Sequence, residues 1–426
     1  MPSLNLTKQR AHPIQMKDLY GDNQKIISYQ VRRFEKLTKK FIDKFGFEPN
    51  RFFSTPGRTE IGGNHTDHNH GKVIAASIDL DSIACVADSD FVVEIFSDGY
   101  EDPFIVNLES LNIIDAEAGT TNALIRGIAS RFINFGFNIG GFKACISSDV
   151  LQGSGLSSSA SIEVLIGTIF NHLFNDGKIP PEEIAMIGQY AENVYFKKPC
   201  GLMDQMACAV GGIIAIDFSN ASTPVISKVD FNFSKQNYSL IFIHTGGSHI
   251  SLTNDYAAIP TEMKDVAAEF DKEYCSQVSY SDFVDKVSSI RNKISDRAIL
   301  RAYHFFKENE RVEKQIHALS KNNFGVFLTL VNESGSSSYK YLQNIYSAND
   351  VTYQPISVAL AFSEDFIDRI GEGACRVHGG GFEGTIQVLI PDKYVNEFIR
   401  YIGKLCNNFS VLNLKIRQVG TTEIEV

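Results

Sequence analysis

Residues Leu151–Val164 read LQGSGLSSSASIEV. Ahead of this run, Phe142–Ile146 has the β-branched and aromatic make-up of a strand, and behind it Ser161–Phe174 (SIEVLIGTIFNHLF) has the apolar density of a buried helix. Strand, glycine and serine loop, helix: that succession attracts an anion. Gly153 and Gly155 let the backbone approach a ligand, and Ser157, Ser158 and Ser159 supply N–H and hydroxyl donors at the positive end of the helix dipole. The plainer alternative is a serine-rich cap on a core helix. The loop lacks the lysine of a GxxxxGK[ST] phosphate loop and does not form a GxSxG nucleophile elbow, so hydrolase chemistry at these serines is disfavoured.

Working outward, residues 24–45 repeat apolar positions at helical spacing and stop at Gly46, which predicts an amphipathic helix. Strands are expected over Lys72–Ala87 and Phe91–Phe96, with Asp-Ser-Asp turning between them, and again over Ile213–Phe218. A helix is expected over Pro181–Phe196. From Ser239–His244, a further strand, the chain continues mostly as helices to about Ile370 and closes with strands around Thr385–Ile390 and Leu412–Gln418. A chain of 426 residues exceeds one ordinary core. The division is placed at 1–230 and 231–426.

Composition narrows the function classes. With 43% hydrophobic and 21% charged residues, and no run of roughly 20 apolar residues, the chain reads as globular and not membrane-spanning. A net charge of −10 argues against nucleic acid or anionic membranes as partners. Seven dispersed cysteines without a CxxC pair, and an N-terminus without a signal-like apolar core, point to reduced thiols in the cytoplasm.

Two further glycine-rich stretches complete the pattern. Gly57–Gly71 reads GRTEIGGNHTDHNHG, and Val377–Gly384 reads VHGGGFEG. A zinc site at His65, His68 and His70 has little support, because the spacing follows no HExxH or paired-ligand pattern. The letters GxGxxG at Gly379, Gly381 and Gly384 nominate a dinucleotide fingerprint, but the run leads into a strand near the C-terminus rather than opening a helix after a first strand.

Taken in order, GRTEIGGNHTDHN, LQGSGLSSSASIEV, AENVYFKKPCGLMDQ, HTGGSHISLTNDY and RVHGGGFEG resemble the motifs of the GHMP kinase superfamily, and within it the galactokinases. The matches span Pro56–Gly384. The resemblance implies an α+β, two-domain fold of mixed sheets flanked by helices, with the active site between the domains. It also implies transfer of the γ-phosphoryl group of MgATP to the anomeric hydroxyl of galactose. Asp204 is then the candidate base and Arg58 its partner, a permanently charged guanidinium that keeps the carboxylate ionised and neutralises phosphoryl charge. Sugar contacts are expected from Asn64, His65, Asp67, Gly201, Asp204 and Tyr256. The ATP loop is Gly153, Ser154, Gly155, Leu156, Ser157, Ser158, Ser159 and Ala160, and magnesium is assigned to Ser159 and Glu192, hard oxygen donors in the small number this ion accepts from protein. Sugar and ATP are the only partners implied, on a monomer or small homo-oligomer.

The departures are specific. Asn64 stands where galactokinases carry glutamate, in a position that faces the sugar's C6 group. His68 stands for tyrosine, Glu60 for asparagine, Leu151 for proline, and HGGGFEG for TGGGFGG. An amide at 64 removes a charge and adds a donor, which suggests tolerance of a C6-modified hexose such as galacturonate. A catalytically silent galactose and ATP sensor shares the fold. Such sensors are disrupted within the serine loop, whereas Ser157–Ala160, Arg58 and Asp204 are all present here.

Overall fold

The structure, a computed structural model, describes residues 13–150, 156–220, 223–246, 252–382, 384–406 and 408–426. Its framework is two sheets. Strands β1 (Ile14–Gln15), β2 (Arg51–Gly62), β3 (Lys72–Ser89), β4 (Val92–Ser97), β5 (Phe104–Asn107), β6 (Gly141–Ser148), β7 (Ile213–Asp217) and β8 (Val225–Lys228) build the larger one. The smaller contains β9 (Tyr238–His244), β10 (Ala374–His378), β11 (Thr385–Pro391) and β12 (Ser410–Leu414), and β13 (Thr422–Glu425) returns to the larger. The larger sheet runs β1-β13-β2-β3-β6-β4-β5, with β7 on the first half of β3 and β8 outside it; the smaller runs β10-β11-β9-β12. Helices flank both sheets, so the expected α+β architecture of mixed sheets is what the chain adopts.

Strand β3 explains why its sequence is apolar without interruption. Alternate residues point to opposite faces. Val73, Ala75, Ala84 and Val86 enter a core under the helices Thr121–Asn134, Ser158–Phe174 and Pro181–Tyr190. Ile83, Cys85 and Ala87 meet Phe34, Leu37 and Phe41 of the helix Gln24–Phe45 on the other side. Ile74, Ala76 and Ile78, nearer the start of the strand, join a core shared with Leu240, Phe242, Phe327 and Val331. Each fully buried valine, leucine, isoleucine or phenylalanine among them contributes about 1.5–3 kcal/mol relative to exposure. The helix Gln24–Phe45 begins on Asn23, whose side chain accepts from two backbone N–H groups, and ends at Gly46 with φ 82°.

The expected division at 230/231 falls between β8 and β9, where the chain leaves one sheet for the other. The C-terminus nevertheless crosses back. β13 inserts between β1 and β2, and buried Arg417 reaches Asp81 at 3.1 Å, which Arg33 also holds at 2.6 Å. Other expectations shift locally. The strand expected at Leu412–Gln418 lies at Ser410–Leu414, and the helix expected over Pro181–Phe196 is α-helical to Tyr190 and then makes a π turn, Ala191–Tyr195. The first half of the motif that begins at Gly57 belongs to β2, a strand hidden from the sequence reading by its Pro56 and glycines, which sit at two bulges between Pro56 and Arg58 and between Glu60 and Gly62. Among the described residues, no helix is long and apolar enough to cross a membrane.

Candidate active site

The bulge at Gly57 turns the backbone of β2 toward the start of the helix Ser158–Phe174. A Cβ at Gly57 would come within 3.0 Å of both the Leu156 carbonyl and Val150, and the Arg58 N–H donates to the Leu156 carbonyl at 3.2 Å. Arg58 is thereby aimed across to Asp204, on the first turn of the helix Met203–Val210. Its Nε and Nη2 donate to Oδ1 and Oδ2 of Asp204, each at 2.7 Å. The Ser157 hydroxyl also donates to Asp204 Oδ2. Burial by itself would raise the Asp204 pKa, but the Arg58 charge and the hydrogen bonds from Arg58 and Ser157 outweigh it and hold the carboxyl below its ordinary value. For Arg58, burial works against the charge and the Asp204 carboxylate more than offsets it.

Asp204 opens onto a cavity of about 820 Å³. Its walls are Arg58, Glu60, His65, Asp67 and His68 on one side, Lys198–Gly201 and Met203 on another, and Tyr256, Pro260, Gly379 and Gly380 on a third. His65 has a left-handed backbone, φ 59°, and its Nε2 lies 3.1 Å from the Gly380 carbonyl. A carbonyl only accepts, so Nε2 carries the proton and Nδ1 is left as a buried acceptor without a partner among the described residues. Burial, aided by His68, lowers the His65 pKa to about 4, so the ring stays neutral. Gly201 has no side chain to intrude on Asp67; a Cβ there would stand 3.1 Å from Asp67 Oδ2. The Tyr256 hydroxyl donates to the Gly381 carbonyl at 3.0 Å, and its ring packs edge-on against Phe382.

Asn64 is placed differently from the sequence expectation. Its side chain is fully buried behind the cavity wall. The amide nitrogen donates to Glu60 Oε1 at 3.2 Å and to the Gly379 carbonyl at 2.7 Å, and the amide oxygen accepts from Asn344 at 2.9 Å and Ser338 at 3.2 Å. All four of its hydrogen-bonding positions are used within the protein, which leaves none for a sugar. An amide so engaged gives no reason to expect tolerance of a C6-modified hexose. The cavity instead meets Glu60, whose Oε1 also receives Arg376 at 2.8 Å. Burial raises the Glu60 pKa against the opposing pull of Arg376.

On the far side of Asp204 lies the serine loop. Leu151–Gly155, and with them Gly153, Ser154 and Gly155, fall outside the described residues. Leu156 and Ala160 are buried, Ser157 has φ 57°, and Ser158 and Ser159 are half-buried. The Ser157 side chain does not cap the helix Ser158–Phe174, so among the described residues its first N–H groups keep their binding capacity. Ser158 and Ser159 face a second cavity of about 640 Å³ with apolar walls that include Tyr100, Phe104, Ile162 and Phe196. Ser157, next in the chain to Ser158 of this cavity, is bonded to Asp204 of the other.

Glu192 is buried on the π turn, with Lys198 Nζ on Oε1 at 2.8 Å and Gln205 Nε2 on Oε2 at 2.9 Å. The same Gln205 nitrogen reaches Glu163 Oε2 at 2.9 Å. Burial, reinforced by the Glu192 charge, pushes Glu163 well above its ordinary value, and its Oε1 has no partner among the described residues. Sequence reasoning missed Glu163, Lys198, Gln205 and the bond from Ser157 to Asp204. Glu163 had a signal: it follows Ser159 by four residues and so shares its helix face. Glu192 offers the hard oxygens magnesium takes, with both engaged by Lys198 and Gln205, and among the described residues no three acidic, histidine or cysteine side chains are grouped to hold a metal.

Known proteins resemble this chain in sequence and in fold. Residues 39–88 match the family described as galactokinase galactose-binding signature, and residues 123–212 match GHMP kinases N terminal domain. The galactokinase of Clostridium tetani (strain Massachusetts / E88) is 30% identical over 384 residues, covering 88% of this chain and 92% of that protein. The Bacillus subtilis (strain 168) galactokinase is 29% identical over 379 residues, covering 87% and 92%. Among solved structures, Lactococcus lactis galactokinase complexed with galactose superposes with a TM-score of 0.77 at 24% identity, covering 92% of this chain and 99% of that one. Mevalonate kinase from Methanococcus jannaschii gives 0.61 at 17% identity, covering 86% and 98%.

Proposed function

The chain belongs to the galactokinase family, and from that premise we propose that it transfers the γ-phosphoryl group of ATP to the anomeric hydroxyl of galactose, yielding galactose 1-phosphate and ADP. The observation that carries this reading is the Asp204 carboxylate on the wall of the 820 Å³ cavity, gripped by Arg58 and by Ser157, the residue next to Ser158 of the second cavity. A sugar in the 820 Å³ cavity would present its C1 hydroxyl to Asp204, which orients the oxygen and accepts its proton as that oxygen bonds to phosphorus and the bond to the ADP oxygen breaks. Arg58 stays charged through the step and offsets the charge on the transferring group.

Sugar hydroxyls would be held by the bare Nδ1 of His65, by Asp67 and by the backbone at Gly201, with Tyr256 closing the wall. Adenosine fits the apolar second cavity, and its phosphates the uncapped N-terminus at Ser158 and Ser159. Glu192 and Ser159 would hold magnesium, which neutralises phosphate charge when bound. Residues 1–230 and 231–426 serve as the two lobes. The seven unpaired thiols suit a reducing compartment such as the cytoplasm.

The test is ADP release across a panel of monosaccharides, with the wild-type protein and Asp204→Asn. Galactose-dependent ADP, lost in the variant, supports the reading. Galactose binding without ADP would overturn it in favour of a sensor.

A further inference from the structure

Three departures from the family's motifs meet at one point. Glu60 and Asn64 exchange the asparagine and glutamate of the first motif, and His378 replaces the threonine of the third. In space the Asn64 amide donates to Glu60 Oε1 at 3.2 Å, and the Glu60 N–H donates to His378 Nε2 at 3.1 Å. The cluster is anchored from behind by Arg376, fully buried, whose Nη1 donates to Glu60 Oε1 at 2.8 Å and whose Nη2 donates to the Glu60 carbonyl at 2.9 Å.

Every one of these bonds falls on the backbone or on Oε1. Glu60 is 4% exposed, what remains exposed faces the cavity that holds Arg58, His65, Asp67 and Asp204, and Oε2 has no partner among the described residues. A carboxylate removed from position 64 has thus been restored at position 60, with one oxygen used to fix it and the other left over. On the same wall Arg58 is paired with Asp204 and Lys198 with Glu192, which leaves Glu60 Oε2 and the oxygens of Asp67 as the carboxylate acceptors open to a ligand.

We propose that Oε2 of Glu60 accepts a hydroxyl of the bound sugar, and that this acceptor-only oxygen makes the cavity reject sugars bearing a carboxylate of their own. The proposal rests on the sugar-kinase reading of the same cavity. The asymmetry is chemical. A hydroxyl donates to a carboxylate, whereas a second carboxylate has no proton to offer and leaves two buried acceptors facing each other.

The experiment measures galactose and galacturonate as substrates and, by calorimetry, as ligands of the nucleotide-free protein. Wild-type protein should bind galactose and leave galacturonate unbound and unphosphorylated. Glu60→Gln should raise the KM for galactose roughly tenfold, more than it lowers kcat, and should narrow the preference between the two sugars, because an amide donates to a carboxylate. Galacturonate bound by the wild type as tightly as galactose overturns the proposal, as does a folded Glu60→Gln variant with unchanged KM. Where the variant does not fold, wild-type binding of galacturonate as tight as that of galactose still overturns the proposal. Galactose binding without turnover would count against the kinase reading and leave the role of Glu60 standing.

Discussion

Replacing Arg58 by alanine tests the site at its centre. Two charge-assisted bonds of 2.7 Å tie Arg58 to Asp204, and such bonds are worth about 1.5–3 kcal/mol each. Asp204 is 31% exposed, so solvent recovers part of the loss, and we take a net of about 3 kcal/mol at the reacting carboxylate. That corresponds to a fall in kcat of roughly a hundredfold. The pH profile carries the sharper signal. In the wild type the Asp204 pKa lies below its ordinary value because Arg58 outweighs burial, so the carboxylate is ionised throughout the neutral range and kcat/KM should be flat on the acid side down to about pH 5. Without Arg58 the burial that raises the pKa is opposed only by weaker partners, and an acid limb should emerge at higher pH. The same sign governs stability: the depressed pKa stabilises the fold above the unfolded value of about 4, and that contribution is lost as pH falls through the folded value. ADP release measured from pH 4.5 to 9 reads both effects. A variant with less than tenfold loss and an unmoved acid side would refute the reasoning.

Three further outcomes follow from the geometry. Ser157→Ala removes one hydroxyl from Asp204 and should lower kcat about tenfold with little change in Tm; a loss confined to the KM for ATP would show that the hydroxyl serves the nucleotide alone. His65 is neutral above about pH 4, so the KM for galactose should not vary between pH 5 and 8, and an inflection near 6.5 would contradict its buried, proton-donating tautomer. Gly63 has φ 90°, and a Cβ there would lie 2.4 Å from the Lys72 carbonyl, so Gly63→Ala should cost about 2–4 kcal/mol and lower the thermal midpoint by several degrees. A variant as stable as the wild type would mean the loop reshapes freely.

Local signals carried much of this protein. The helix Gln24–Phe45 was legible to its last residue, because its apolar period and its Gly46 stop are properties of consecutive residues. The β-branched run of β3 likewise announced a strand, and its burial on both faces came from the fold. Arg58 and Asp204 were recognisable by motif, and Glu163 was within reach of helix spacing from Ser159. By contrast, β13 returns from the far end of the chain to pair with β2, and nothing in Thr422–Glu425 names its partner.

Asn64 marks the limit most clearly. Its residue type and its place in the first motif suggested an amide facing sugar. What decides its role is a set of long-range partners: Asn344 and Ser338 on its oxygen, Gly379 and Glu60 on its nitrogen, and His304 on its carbonyl. Hydrogen-bonding capacity is finite, so once distant segments have filled an amide it cannot also read a ligand. The sequence by itself determined the family and the α+β framework, and it named Arg58 and Asp204 as the pair to look for. Only the tertiary structure decided that Glu60 joins Asp67 and Asp204 on the cavity wall, because Arg376 and Asn64 take one of its oxygens and leave the other.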